Sequence, residues 1–281
     1  TGLGMVHRNM SDYEAALENY KEVVALMPNS DYAGEAMSAI ESIYTAMRHP
    51  EQFLEYVEQN SLAQSRNDAD REKMYFNTAE QLYLAGNYQE AVTTLRKYLE
   101  DYAGGTERPQ AEFYLAECYN ALGQKEKAVE QYALAASRES TYSFSEMARL
   151  RYADLSYGLE RYQNAYKGYE ELLATARMDA NKQTARLGMM RSAYRSKDYP
   201  AAIAAADEVS AQRSLSPALK DEATYVKAKS SLATSNRDQA FRLFRQLAVD
   251  PSSALGAESE YMLIQNLYDE TPISRARDIP A

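Results

Sequence analysis

The sequence predicts an all-α fold: an α-α superhelix, a right-handed solenoid of about seven helix-turn-helix repeats of roughly 37 residues. Three observations predict it. A small or apolar residue recurs at Ala16, Phe53, Ala91, Ala128, Ala165, Ala202 and Ala240, in steps of 37, 38, 37, 37, 37 and 38. A usually larger residue follows each by four: Tyr20, Val57, Leu95, Tyr132, Tyr169, Ala206 and Phe244. An aromatic residue or a substitute precedes each by three: Tyr13, Pro50, Tyr88, Lys125, Tyr162, Tyr199 and Arg237. No stretch shows sustained strand alternation bounded by hairpin turns.

Each unit reads as two helices. Thr1 already lies inside a first helix, which reads the chain as a piece of a longer protein, and Tyr13, Ala16 and Tyr20 mark the second. The second unit departs most, with Glu41 in the small-residue column of its first helix and Pro50 in the aromatic column. In the third, 69–85 carries an apolar stripe at Tyr75, Thr78, Ala79 and Leu82; Gly86-Asn87 stops it, and Tyr88, Ala91, Leu95 and Tyr98 share one face of the next helix. The fourth repeats this with Leu115, Ala116 and Tyr119, a stop at Gly123, then Ala128, Tyr132 and Ala135. The fifth uses Tyr152, Ala153 and Ser156, then Tyr162, Ala165, Tyr169 and Leu172. The sixth and seventh keep the second-helix columns at Ala202 and Ala240. Residues 257–268 read as the first helix of an eighth unit or as a cap, with Pro272 and Pro280 breaking the tail. The array is expected over 1–268 and a C-terminal tail over 269–281, with altered stacking at Ser61–Asp70 or Gly104-Gly105.

The small residue lets two antiparallel helices close on each other, and the residue one turn later fills the space toward the next repeat. Most of the 24 tyrosines and 6 phenylalanines are expected to serve that packing.

These columns resemble the tetratricopeptide repeat. The residues that carry the likeness are Leu3-Gly4-x-x-His7 with Tyr13, Ala16, Tyr20 and Pro28. Ala79-x-x-Leu82-x-x-x-Gly86-x-Tyr88-x-x-Ala91 carries it again, as does Leu115-Ala116-x-x-Tyr119-x-x-x-Gly123 with Ala128 and Tyr132. The family's early Trp is absent, and the unit is about three residues longer than usual. Longer units with the texture of 98–132 resemble the bacterial cell-envelope branch, which includes lipoproteins of outer-membrane protein assembly and periplasmic coordinators of the Tol–Pal system. The resemblance implies a periplasmic or envelope-associated protein, with the cytoplasm as the alternative. The Lys and Asn clamp by which some family members hold chaperone tails is not reproduced, since Phe76 with Glu80 and Phe113 with Glu117 stand there.

Composition narrows the function. A formal charge of −10 argues against nucleic acid, which needs a basic stripe. No run of 18 apolar residues spans a membrane. One cysteine, Cys118, excludes an intrachain disulfide and reads as a buried small hydrophobe. His7 and His49 are not spaced for a metal. Asn67-Asp68-Ala69-Asp70 lacks the Gly and terminal Glu of a calcium loop and reads as helix capping by Asp68 or Asp70. No phosphate loop, Gly-x-Ser-x-Gly, His-Glu-x-x-His or paired-Cys motif occurs, so the expectation is no enzyme, no cofactor and no metal.

Binding is expected on the concave face lined by first helices, at positions spaced i, i+4, i+7 off the core. The candidate groove residues are Phe76, Glu80, Tyr83, Phe113, Glu117, Asp154, Arg191, Tyr194 and Lys229. The middle column runs acid, acid, acid, base, base. Its signs either pair with neighbours or orient a peptide gripped by the aromatic rows. The leading reading is a non-catalytic scaffold for a protein or peptide. The alternatives are a self-associating, homo-oligomeric module and a cell-wall or carbohydrate binder using the Tyr-rich face.

Overall fold

The computed structural model describes residues 2, 4, 12–47, 49–60, 68–138 and 143–270. Among them are fourteen helices and no strand. His7, the Ser61–Asn67 stretch, the Asp68 side chain that would test the capping expectation, and the tail from 271 onward lie outside the described residues.

Contacts divide the chain into two compact units, Thr1–Arg138 and Glu139–Ala281. The first holds α1 (Tyr13–Leu26), α2 (Asp31–Ala46), α3 (Glu51–Gln59), α4 (Asp68–Leu84), α5 (Tyr88–Asp101), α6 (Arg108–Ala121) and α7 (Lys125–Ala136). The second holds α8 (Ser143–Gly158), α9 (Tyr162–Thr175), α10 (Asp179–Arg195), α11 (Tyr199–Ser210), α12 (Pro217–Ala233), α13 (Arg237–Leu247) and α14 (Ala254–Glu270). Thirteen of these helices run to 11–17 residues; α3, in the unit that departs most from the pattern, has only 9.

All seven members of the small-residue column are buried, and so are all seven of the residues one turn later. Glycine marks the closest approaches. A Cβ on Gly168 of α9 would lie 2.9 Å from the Tyr152 ring of α8, and one on Gly188 of α10 would lie 2.5 Å from the Tyr169 ring of α9. Gly4 does the same for Tyr20, at 2.9 Å. At two of these joints the large residue of a second helix, Tyr20 or Tyr169, fills a gap that a glycine leaves open. At the third the ring belongs to the first helix, Tyr152, and the glycine to the second. Within each unit helices pack on their sequence neighbours. The substantial next-but-one contacts join first helices only: α4 with α6, and α8, α10, α12 and α14 in succession. First helices therefore adjoin each other at α4 and α6 in the first unit and make a continuous face from α8 to α14 in the second.

The turn inside each repeat is the same five times. Gly86 and Gly123 have φ of 80° and 74°, while Glu160, Lys197 and Ser235 hold φ of 59°, 64° and 63° in the homologous places. At the first of these the Asn87 N–H reaches the Leu82 carbonyl at 2.9 Å, and the Gly86 N–H reaches Tyr83 at 3.0 Å. This is the Schellman closure, which needs one left-handed residue. The next residue, Asn87, Gln124, Arg161, Asp198 or Asn236, is the N-cap of the second helix, so three residues reverse the chain.

Left-handed backbone strains a residue with a Cβ. Lys197→Gly should therefore raise stability by about 0.5–1 kcal/mol, read as a higher urea midpoint. An unchanged or lower midpoint would mean that the turn is not held left-handed. Ala165→Leu should destabilise by about 1–3 kcal/mol through overpacking at the α8–α9 contact, and an unchanged melting temperature would refute that packing.

Candidate functional site

The first-helix face decides which expected groove residues are available. Phe76 and Phe113 are not. Phe76 is 5% exposed and packs on Tyr98 at 5.7 Å; Phe113 is 3% exposed and packs on Tyr132 at 6.1 Å. A first helix is covered by its own second helix and by the one before it. Its buried stripe is consequently wider than the one-sided pattern used to place these rings, and both are core residues.

The charged column is real, but it is paired. In the first unit Glu80 accepts hydrogen bonds from the Tyr114 hydroxyl at 3.0 Å and the Gln110 amide at 3.1 Å, and Glu117 accepts from the Tyr132 hydroxyl. In the second unit Asp154 accepts from the Tyr169 hydroxyl at 2.6 Å. Arg191 forms a fork with Glu222, at 2.6 and 2.7 Å, that joins α10 to α12. The Glu222 bonds hold the Arg191 guanidinium even more firmly protonated than usual. Lys229 of α12 lies 3.9 Å from Glu258 of α14, which also accepts from the Tyr225 hydroxyl. A carboxylate thus satisfies the phenols of Tyr114, Tyr132, Tyr169 and Tyr225.

The tyrosines of the third column lean on the start of their own second helices. Tyr83 meets Tyr88 at 6.3 Å, Tyr157 meets Tyr162 at 5.3 Å and Tyr194 meets Tyr199 at 6.4 Å. In the fourth repeat Asn120 and Lys125 take both places and are joined by a hydrogen bond of 2.5 Å. Tyr83 also stacks on Tyr114, with centroids 4.4 Å apart, and burial first, then Glu117, pushes its phenol up to about 12.

One cleft gathers the candidate residues of the second unit. About 200 Å³ in volume, it lies between α8, α9 and α10 and is lined by Asp154, Tyr157, Tyr169, Thr184, Leu187, Gly188 and Arg191. Asp154 and Arg191 are thus brought together, while Tyr194 and Lys229 lie farther along α10 and α12 and do not line it. Tyr169 and Gly188 were missing from the expected set. Tyr169 reads from the sequence as core, and Gly188 gives no signal except as a glycine inside a helix. Lacking a Cβ, Gly188 leaves the Tyr169 ring as a wall of the cleft. The lining offers ring faces and an aliphatic side chain between an acid and a base, which suits a side chain of a bound segment. Among the described residues no group of three or more His, Cys, Asp or Glu could hold a metal. Cys118 is buried in α6, where burial first and Glu117 second push its thiol up to about 12, the opposite of an activated nucleophile.

The tetratricopeptide repeat model matches residues 74–104 and 110–138, the third and fourth units. In those two units the chain is similar to the tetratricopeptide repeat. Comparison with curated proteins gives no match. Among solved structures it is similar to YrrB, described as a tetratricopeptide repeat protein with an unusual peptide-binding site, at 17% identity and a TM-score of 0.51. That match covers 74% of this chain and 97% of YrrB. It is also similar to PilF of Pseudomonas aeruginosa (16% identity, 93% of this chain and 95% of that one, TM-score 0.40). A thermophilic repeat protein of Thermus thermophilus, TTC0263, matches at 17% identity over 69% of this chain and 99% of that one, with a TM-score of 0.36. The YrrB match shows the fold. Repeats of this kind are generally non-catalytic scaffolds for protein interaction, and among the described residues no helix is long and apolar enough to cross a membrane.

A phenol with a raised folded pKa binds its proton more tightly when folded. Its contribution to stability is complete below the unfolded value near 10 and disappears as pH rises through the folded value. Burial first raises Tyr83, Tyr98, Tyr169 and Tyr225 in this way. Alkaline titration should thus show a fraction of the 24 tyrosines ionising only together with loss of the helical circular dichroism. A single transition near pH 10 with helicity intact would refute the burial. Cys118 should react with a thiol reagent only after denaturation.

Proposed function

We propose that this chain is a non-catalytic scaffold that binds a protein or peptide segment on the first-helix face of its repeats. The observation that carries the reading is the α8–α9–α10 cleft, a partly apolar recess opened by Gly188 on a face where most other polar groups are already paired. The described peptide-binding site of YrrB supports a peptide as ligand. An apolar side chain would seat against Tyr157 and Leu187, with a donor next to it meeting the exposed Asp154. The formal charge of −10 argues against a nucleic-acid partner. The long-unit texture of 98–132 extends the reading to a complex of the bacterial envelope, with a periplasmic location. Cell fractionation of the full gene product tests that part.

Peptide-array or pull-down binding tests the cleft. Tyr157→Ala should weaken a genuine ligand by about tenfold or more, as loss of an aromatic anchor does. Tyr32→Ala, on an exposed ring of α2, should leave binding unchanged. Equal binding by wild type and Tyr157→Ala, with both folded by circular dichroism, would move the site off this cleft.

A further inference from the structure

The column of charges on the first-helix face of the second unit is closed at two joints and open at a third. Arg191 of α10 is met by Glu222 of α12, and Lys229 of α12 by Glu258 of α14. Asp154 of α8 stands one repeat before Arg191 in the same column and is exposed. The step of 38 that carries Arg191 to Lys229 leads back from Glu222 to Thr184. Where α10 would offer Asp154 a partner there is thus a threonine, whose hydroxyl donates to the Ala180 carbonyl of its own helix at 3.0 Å. Asp154 accepts the Tyr169 hydroxyl on Oδ1 at 2.6 Å and has no ion-pair partner among the described residues. A carboxylate offers about four acceptor positions, so one phenol leaves most of them open.

Arg191, on the same cleft, does not cancel this acid. Its Nε and one Nη are held by Glu222 at 2.6 and 2.7 Å, so the fork is neutral as a unit. The charge left over is that of Asp154. The rest of the lining is chiefly Leu187 and the rings of Tyr157 and Tyr169. A long basic side chain matches both parts, with a methylene stem that packs on apolar surface and a cation that aromatic faces attract. An acidic side chain would be repelled by Asp154, and a wholly apolar one would bury the carboxylate without a new partner.

We propose that the cleft beside Gly188 takes a lysine or arginine side chain of the bound segment, with Asp154 receiving its charge. The inference rests on the reading of this cleft as the peptide site and names the residue class it selects. The stem lies against Leu187 and Tyr157. The ammonium or guanidinium completes, at the α8–α10 joint, the ion pair that the next two joints make within the chain. Asp154 thus sets specificity, while the rings supply contact area. A basic segment also suits a chain of formal charge −10.

Selection from a phage-displayed library of random peptides on wild type, Tyr157→Ala and Asp154→Asn tests it. Asparagine keeps an oxygen for the Tyr169 hydroxyl and removes only the charge, so both variants should keep the wild-type circular dichroism. Wild type should enrich peptides that share one Lys or Arg, and Tyr157→Ala should fail to hold them. Synthesised and titrated, such a peptide should bind Asp154→Asn about tenfold or more weaker, and wild type equally weakly once norleucine replaces the basic residue. The loss on Asp154→Asn should shrink at high salt. Peptides that need Tyr157 but share no basic residue, or that bind Asp154→Asn as tightly as wild type, overturn this inference and leave the cleft as the binding site. Peptides that bind Tyr157→Ala undiminished, or a library that yields no binder, overturn the cleft reading and this inference together.

Discussion

The fold depends on a ring pushed into a gap that a small side chain leaves open. Tyr169 against Gly188, Tyr20 against Gly4 and Tyr152 against Gly168 are the same event at different joints. Tyr152 with Gly168 closes the α8–α9 pair on itself, whereas Tyr169 on Gly188 ties that pair to α10 of the next. Stability in such an array grows by interfaces rather than by one central core. The chain can therefore be long without a large globular interior.

The rings also account for the polar pattern. A tyrosine brings a hydroxyl into the packed layer, and the hydroxyl needs an acceptor. Glu80, Glu117, Asp154 and Glu258 supply it to Tyr114, Tyr132, Tyr169 and Tyr225. Much of the acidic character of the first helices is thereby structural. What remains for recognition is the set of side chains that this satisfaction leaves open, chiefly around the cleft beside Gly188.

The repeat was legible in the sequence because its columns are set by packing, and packing constrains residue size at a fixed spacing. The columns at Ala16 and Tyr20 and their counterparts are all buried, even where Phe53 or Ala206 departs from type. Turns were legible only where glycine stands: Gly86 and Gly123 announced themselves, while Glu160, Lys197 and Ser235 take the same left-handed backbone without a sequence mark. The site was less legible. Asp154 and Arg191 came out of the column, but Phe76 and Phe113 did not belong there, because a first helix is covered from two sides. Glu222 could not be paired with Arg191 from sequence, since that pairing depends on how adjacent repeats are offset.

The three-residue turn has a consequence for how such a chain can vary. Five helix pairs are reversed by the same closed motif, with no spare residue, so each pair is fixed in length at that edge. Insertions can be absorbed only at the opposite edge, where second helices hand over to the next first helix. There the linkers differ, from 176–178 to 211–216. One rim of each unit is thus conformationally frozen and the other open to lengthening. New loops, and whatever partners they acquire, have only the second rim in which to arise.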